Sequence, residues 1–163
     1  MISHEELTTR LSYDGQTGLF TWVNPLSNRV QVGAIAGTKI TGGYLGINIG
    51  GKRYAAHRLA WFYVHGEWPE KEIDHIDRNP LNNSIANLRD VNRVVNALNT
   101  GAKSGNASGI KGVTWCSKRN QWQAQIHLSG KNITLGRFET IDEAAIAYKA
   151  ALMVAEHFLS SKI

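Results

Sequence analysis

Between Thr100 and Gly109 the chain reads TGAKSGNASG, with no apolar side chain larger than alanine. Such a stretch cannot enter a core, so it predicts a linker, and one core must form before it and another after it. The expected organisation is therefore a domain over 1–99, a linker over 100–108 and a second domain over 109–163. The 163 residues suffice for two small domains, and a hydrophobic content of 42% suits packed cores rather than disorder.

Local patterns predict an α+β chain. Glu5 to Leu11 fits a short helix, and Leu19 to Val23 (LFTWV) a strand after the turn Asp14-Gly15. Tyr44 to Ile49 alternates, Gly50-Gly51 can take the positive φ angles of a tight turn, and Lys52 to Ala56 returns, which predicts a hairpin. His57 to His65 (HRLAWFYVH) reads as a helix stopped by Gly66. A short strand at IDHI, a polar turn over 77–83 and a helix over Val91 to Leu98 capped by Asn92 complete the first part. Beyond the linker, Val113 to Ser117, Trp122 to Leu128 and Asn132 to Phe138 read as a three-stranded antiparallel sheet. Thr140 and Glu143 form a capping box. Ala144, Ala145, Tyr148, Leu152, Ala155 and Leu159 then give one helix a narrow apolar stripe that can lie close on that sheet.

Composition narrows the function classes. The single cysteine, Cys116, excludes an internal disulfide framework and a four-thiolate zinc site. No apolar run is long enough for a bilayer, and the N-terminus lacks the apolar centre of a signal peptide, so a soluble, cytoplasmic protein is expected. Lys and Arg number 18 against 13 Asp and Glu, a formal charge of +5 that favours a polyanionic partner such as nucleic acid. No basic amphipathic helix supports a membrane surface instead.

The chemistry concentrates in IDHIDRNPLNNSIANLRDVNRVVNALN, from Ile73 to Asn99. Asparagine suits neither helix interiors nor strands, so its abundance here signals turns, binding, or both. Asp74 and His75 are adjacent. On a regular strand they would face opposite sides, but at a terminating strand both can approach one site. A carboxylate with an amide oxygen from the next helix is a hard-oxygen pair. It suits Mg²⁺ or Mn²⁺, which keep waters and take phosphate oxygens. A neutral histidine beside it can deprotonate water, which sketches metal-assisted phosphodiester cleavage.

These residues, with HRLAW and GEWP before them, closely resemble the HNH nuclease motif of the ββα-metal class. The form is that of phage- and intron-encoded homing endonucleases, and the likeness spans about residues 19–99. The resemblance implies that Asp74 and Asn96 hold a single Mg²⁺ or Mn²⁺, that His75 activates water, and that Asn87 braces the loop carrying His75. The motif's last letter is Asn96 here rather than His, which still suits a hard cation. It also implies double-stranded DNA as partner, a 5′ phosphate product, and, for a phage-encoded chain, the cytoplasm of a bacterial host. A monomer with one site would nick, and two cuts need a homodimer or sequential action.

Simpler roles stand beside these. Asn87 can be a turn former, and Asn79, Asn82 and Asn83 read as turn residues. His57, after the basic pair Lys52-Arg53, either touches a phosphate or only begins a helix. Trp61, Phe62 and Trp68 read as core.

From Gly109 to Phe158 the segments GIKGVTW, TLGRFET and DEAAIAYKAA resemble the ethylene-response-factor (Apetala-type) DNA-binding domain, whose sheet lies in the major groove. Carried over, the contact positions are Lys111, Thr114, Cys116, Gln125, His127, Asn132 and Thr134, with Lys118 and Arg119 at the first turn reaching phosphates. Several arginines of that family are Thr, Cys, His and Asn here, which alters the expected sequence preference. Those polar residues otherwise only solvate a free sheet face. The combined expectation is a metal-dependent DNA endonuclease. The rivals are a non-catalytic DNA-binding regulator with a degenerate nuclease fold and, last, an RNA-directed nuclease.

Overall fold

The computed structural model describes residues 1–160. Its contacts form two compact units, Met1–Val91 and Asn92–Ile163.

The first unit opens with helix α1 (His4–Arg10), whose N-terminal amides are met by the Ser3 hydroxyl, accepting from the Glu6 N–H at 3.1 Å. Strands β1 (Leu11–Tyr13), β2 (Phe20–Trp22) and β3 (Ile35–Ala36) make one antiparallel sheet in that order. A second contains β4 (Thr38–Lys39), β5 (Leu45–Ile49) and β6 (Lys52–Ala55). The turn joining β5 to β6 holds Gly50 at φ 57° and Gly51 at φ 77°, the left-handed pair that a two-residue hairpin requires. Helix α2 (Ala56–His65) follows and ends on Gly66, whose N–H bonds to the Phe62 carbonyl at 2.9 Å. Leu7, Leu11, Phe20, Ile47 and Leu59 are almost fully excluded from solvent and anchor this core. Trp68 stacks on Phe62 with ring centroids 4.4 Å apart.

Strand β7 (Glu72–His75) pairs antiparallel with β8 (Leu88–Val91). Two devices fix the entry to β7. The Arg58 guanidinium of α2 donates to the carbonyls of Pro69 and Lys71, and the Asp90 carboxylate accepts from the N–H groups of Glu70 and Lys71. Strand β8 has no counterpart in the sequence expectations, because LRDV places its two buried residues, Leu88 and Val91, at its ends and shows no alternation.

The second unit contains α3 (Arg93–Asn99), β9 (Val113–Cys116), β10 (Gln121–Leu128), β11 (Lys131–Phe138) and α4 (Ile141–Ser160). Asn92 caps α3, its side-chain oxygen accepting from Val95 N–H at 3.0 Å. The sequence pattern places α3 ahead of the linker with the first part. By contacts it groups with the second, because Leu98 packs into the core made by Val113, Ala124, Ile126, Ala144 and Tyr148. The sheet order is β11-β10-β9, antiparallel throughout, with α4 across one face. Thr140 and Glu143 cap α4 reciprocally, at 3.1 and 3.3 Å. Among the described residues no helix is long and apolar enough to cross a membrane.

Candidate functional site

Strand β7 ends at His75, and both Asp74 and His75 are only 6% exposed. Burial of two adjacent polar side chains on a short strand demands partners for each. Arg89, opposite Asp74 in the β7–β8 register, directs both Nε and Nη2 onto Asp74 Oδ2 at 2.8 Å. His75 Nε2 lies 3.0 Å from Asn83 Oδ1. With an amide oxygen as acceptor, Nε2 carries the proton and the basic lone pair sits on Nδ1.

Two rings wall this histidine. His57, in the first turn of α2, meets it edge to face at a centroid distance of 5.2 Å. Tyr44 lies 5.1 Å from His57 and 5.9 Å from His75. Burial, then the neighbouring His75 and Arg58, pushes the His57 imidazole down to about 4, so it is neutral near pH 7. Its Nδ1 is buried and has no hydrogen-bond partner among the described residues.

The chain beyond His75 is an asparagine-built loop. Asp77 accepts from Asn79 N–H at 2.8 Å, Asn82 Nδ2 at 2.7 Å and Asn87 Nδ2 at 2.9 Å. These bonds hold the Asp77 carboxyl below its ordinary range. Asn87 also accepts from Asp77 N–H at 3.0 Å and donates to the Asn82 carbonyl at 2.8 Å. Its own carbonyl accepts from Ile76 N–H at 2.9 Å.

The structure thus brings Asp74, His75 and His57 together, with Asn87 bonded across the loop that leaves His75. Asn96 lies on α3 in the second unit, where its N–H bonds to the Asn92 carbonyl at 3.1 Å. Lys52 and Arg53 are exposed on β6, and Arg53 Nε donates to Asn48. In the second unit, the register puts Thr114 and Cys116 of β9, Gln125 and His127 of β10, and Asn132 and Thr134 of β11 on the sheet face opposite the buried Val113, Ala124 and Ile126. His127 Nδ1 and Asn132 Oδ1 are 2.7 Å apart across the strands. Lys118 and Arg119 are exposed in the β9–β10 turn. Lys111, another carried-over contact position, bonds within its own unit. Its ammonium donates to the carbonyls of Ala97 and Leu98 and to the Thr100 hydroxyl, at the C-terminus of α3.

Three residues of the site escape sequence reasoning. Asn83 reads as a turn former, yet it is fully buried and bonds His75. Arg89 declares itself only through the unexpected strand β8, and Tyr44 only through the fold of its hairpin. The doubled Asn82-Asn83 was the one available signal, but spacing does not say which of the two turns inward.

As a cation site, the Asp74 carboxylate supplies one anionic oxygen, oriented by Arg89 as metal-ligating carboxylates commonly are. Among the described residues no group of three or more His, Cys, Asp or Glu could hold a metal. One carboxylate fits a hard ion that keeps its waters and takes phosphate oxygens, and it does not fit an all-protein zinc cage.

A family model described as HNH endonuclease matches residues 54–98, from β6 through most of α3. Protein 3.8 of Escherichia phage T7 is 32% identical over 94 residues, covering 57% of this chain and 78% of the phage protein. No solved structure matches the chain. With the matched segment enclosing Asp74, His75, Asn87 and Asn96, the chain belongs to the HNH endonuclease family.

Proposed function

We propose that the protein is a metal-dependent DNA endonuclease of the homing type, hydrolysing phosphodiester bonds in duplex DNA. The observation that carries this reading is the buried pair at the end of β7. A carboxylate held by arginine stands beside a histidine whose Nε2 lies 3.0 Å from an amide oxygen.

His75 Nδ1 takes a proton from water as the water oxygen bonds to phosphorus, and the bond from phosphorus to the 3′ oxygen breaks, leaving a 5′ phosphate. Asp74 would hold Mg²⁺ or Mn²⁺, with Asn96 as the second ligand that the resemblance implies. The bound ion supplies stabilisation of the charge developing on the phosphate and the leaving oxygen. Neutral His57 and Tyr44 exclude water from the face of His75. Exposed Lys52 and Arg53 add positive charge on β6.

The second unit positions the enzyme. Its free sheet face, with Gln125, His127, Asn132 and Thr134, reads base edges in the manner of the Apetala-type domain it resembles, and Lys118 and Arg119 contact phosphates.

The test is a supercoiled plasmid incubated with Mg²⁺ or Mn²⁺, with and without chelator. Relaxed or linear product that the chelator abolishes and that His75→Ala lacks is the expected outcome. DNA binding without product under either metal would instead favour a non-catalytic binder.

A further inference from the structure

We infer that Asn83 is a positioning residue for His75, and that the turn between β1 and β2 is the part of the fold that holds Asn83 in place. The inference rests on the proposed nuclease function only in giving His75 a reaction to perform.

Asn83 is 0% exposed. Among the described residues its side chain has one hydrogen bond, Oδ1 accepting from His75 Nε2, while its Nδ2 is buried with no partner. An amide at such a place is a poor packing residue, since an orphaned N–H costs stability that an apolar side chain of similar size would not. What the amide provides is an acceptor aimed at one ring nitrogen of His75. That acceptor selects the tautomer whose lone pair is on Nδ1.

An acceptor sets a tautomer only if its backbone is fixed, and here it is fixed from the N-terminal hairpin. The Tyr13 hydroxyl donates to the Asn83 carbonyl at 2.7 Å. Burial, and then the nearby Asp14 carboxylate, pushes the Tyr13 phenol up to about 12, so it keeps the donated proton. The Gly15 carbonyl accepts from both the Ser84 hydroxyl and the Ile85 N–H, each at 3.1 Å. Gly18, at φ 72°, lies against the Asn83–Ser84 peptide so closely that a Cβ there would stand 2.3 Å from Asn83 C and Ser84 N. The turn is itself rigid, with Asp14 accepting from the N–H groups of Gln16 and Thr17. Tyr13, Gly15 and Gly18 all lie outside the matched residues 54–98, so this brace comes from a part of the chain that the motif does not include.

The test pairs steady-state cleavage of duplex DNA with ¹⁵N NMR of the His75 ring at a pH where the imidazole is neutral, on the full chain. The variants are Asn83→Ala, Asn83→Asp and Tyr13→Phe, the last removing only a hydroxyl while its ring stays against Phe20 and Tyr63. Asn83→Ala is expected to lower kcat about 100-fold, and Tyr13→Phe roughly 10-fold, with KM for DNA unchanged. In both the Nε2–H signature should give way to a mixture of tautomers. Asn83→Asp keeps the acceptor and should keep the signature, because Nδ2 has no partner to lose. If Asn83→Ala and Tyr13→Phe fold and retain the wild-type kcat and tautomer, the inference is overturned. Loss of the tautomer in a protein whose wild type cuts no DNA would instead sink the nuclease reading and leave the positioning role standing.

Discussion

Asn87 grips Asp77 at two points, accepting from its N–H at 3.0 Å and donating to its carboxylate at 2.9 Å. The pair closes the loop that begins at Ile76, the residue after His75. Because Asn87 Nδ2 also bonds the Asn82 carbonyl, one amide ties three points of that loop, including the residue before Asn83. Asn87→Ala opens all three bonds at once and loosens the loop that carries Asn83, the hydrogen-bond partner of the His75 ring. It is expected to lower the cleavage rate roughly 100-fold and the Tm measurably, while binding of duplex DNA survives. Asn87→Asp keeps the acceptor but sets a second carboxylate against Asp77, so its Tm deficit relative to the wild type should shrink as the pH is lowered toward the carboxylate range. Plasmid cleavage and thermal melts across pH check both.

The pairing of Arg89 with Asp74 is the most exposed to a stability test. Asp74 is 7% exposed at its side chain and Arg89 29%, so removing the arginine leaves a carboxylate in a site with little water. Arg89→Met is expected to destabilise the fold by about 3 kcal/mol, while Asp74→Leu with Arg89→Met together costs less than the sum of the two single changes. Asp74→Leu alone is expected to abolish plasmid cleavage with either metal. Urea unfolding of the four proteins measures the coupling, and strict additivity would show that the pair holds nothing together.

The elements that the sequence announced are those whose signal is local. The β5–β6 turn needed two residues able to take positive φ, and Gly50-Gly51 supplied them. The reciprocal cap on α4 was written in Thr140 and Glu143, two residues three apart in sequence. Asp74 and His75 stand out in the sequence as an adjacent carboxylate and imidazole, and the structure buries both at the end of β7. Asn83 and Arg89 were not, because their roles depend on partners eight and fifteen residues away, across a loop and across a strand pair with no periodic pattern. Lys111 shows the same limit from the other side. The resemblance makes it a DNA-contact position, and its ammonium bonds the carbonyl end of α3.

His57 makes the fold sensitive to acid. Its folded-state value near 4 lies below the ordinary 6.5, so the unfolded chain takes up the proton first as pH falls. The stability of burying a neutral ring is therefore complete above pH 6.5, declines between 6.5 and 4, and changes no further below that. The loss across this window is about 2 to 3 kcal/mol, allowing for the part of the ring that meets solvent. His57→Phe keeps a ring against Tyr44 and His75 and cannot be protonated. Unfolding free energies at pH 7 and pH 4.5 should differ less in this variant than in the wild type. Equal differences in both would show that another group carries the acid sensitivity.

Two lysines of the second unit separate DNA contact from structure. Lys118 is exposed in the β9–β10 turn, and Lys111 is bonded to the last carbonyls of α3. A lysine that neutralises a phosphate releases a counterion, so its loss lowers the slope of log affinity against log salt by about 0.9. Lys118→Met should therefore weaken binding to any duplex alike and reduce that slope, with the Tm unchanged. Lys111→Met should leave the slope alone and lower the Tm, because it uncaps α3 and loosens Leu98 from its core. Gln125→Ala, on the free sheet face, should change preference among sequences without altering the slope. Binding measured at several salt concentrations on two unrelated duplexes distinguishes the three. A salt slope lowered by Lys111→Met and untouched by Lys118→Met would reverse the assignment and place the phosphate contacts beside α3 instead of at the turn.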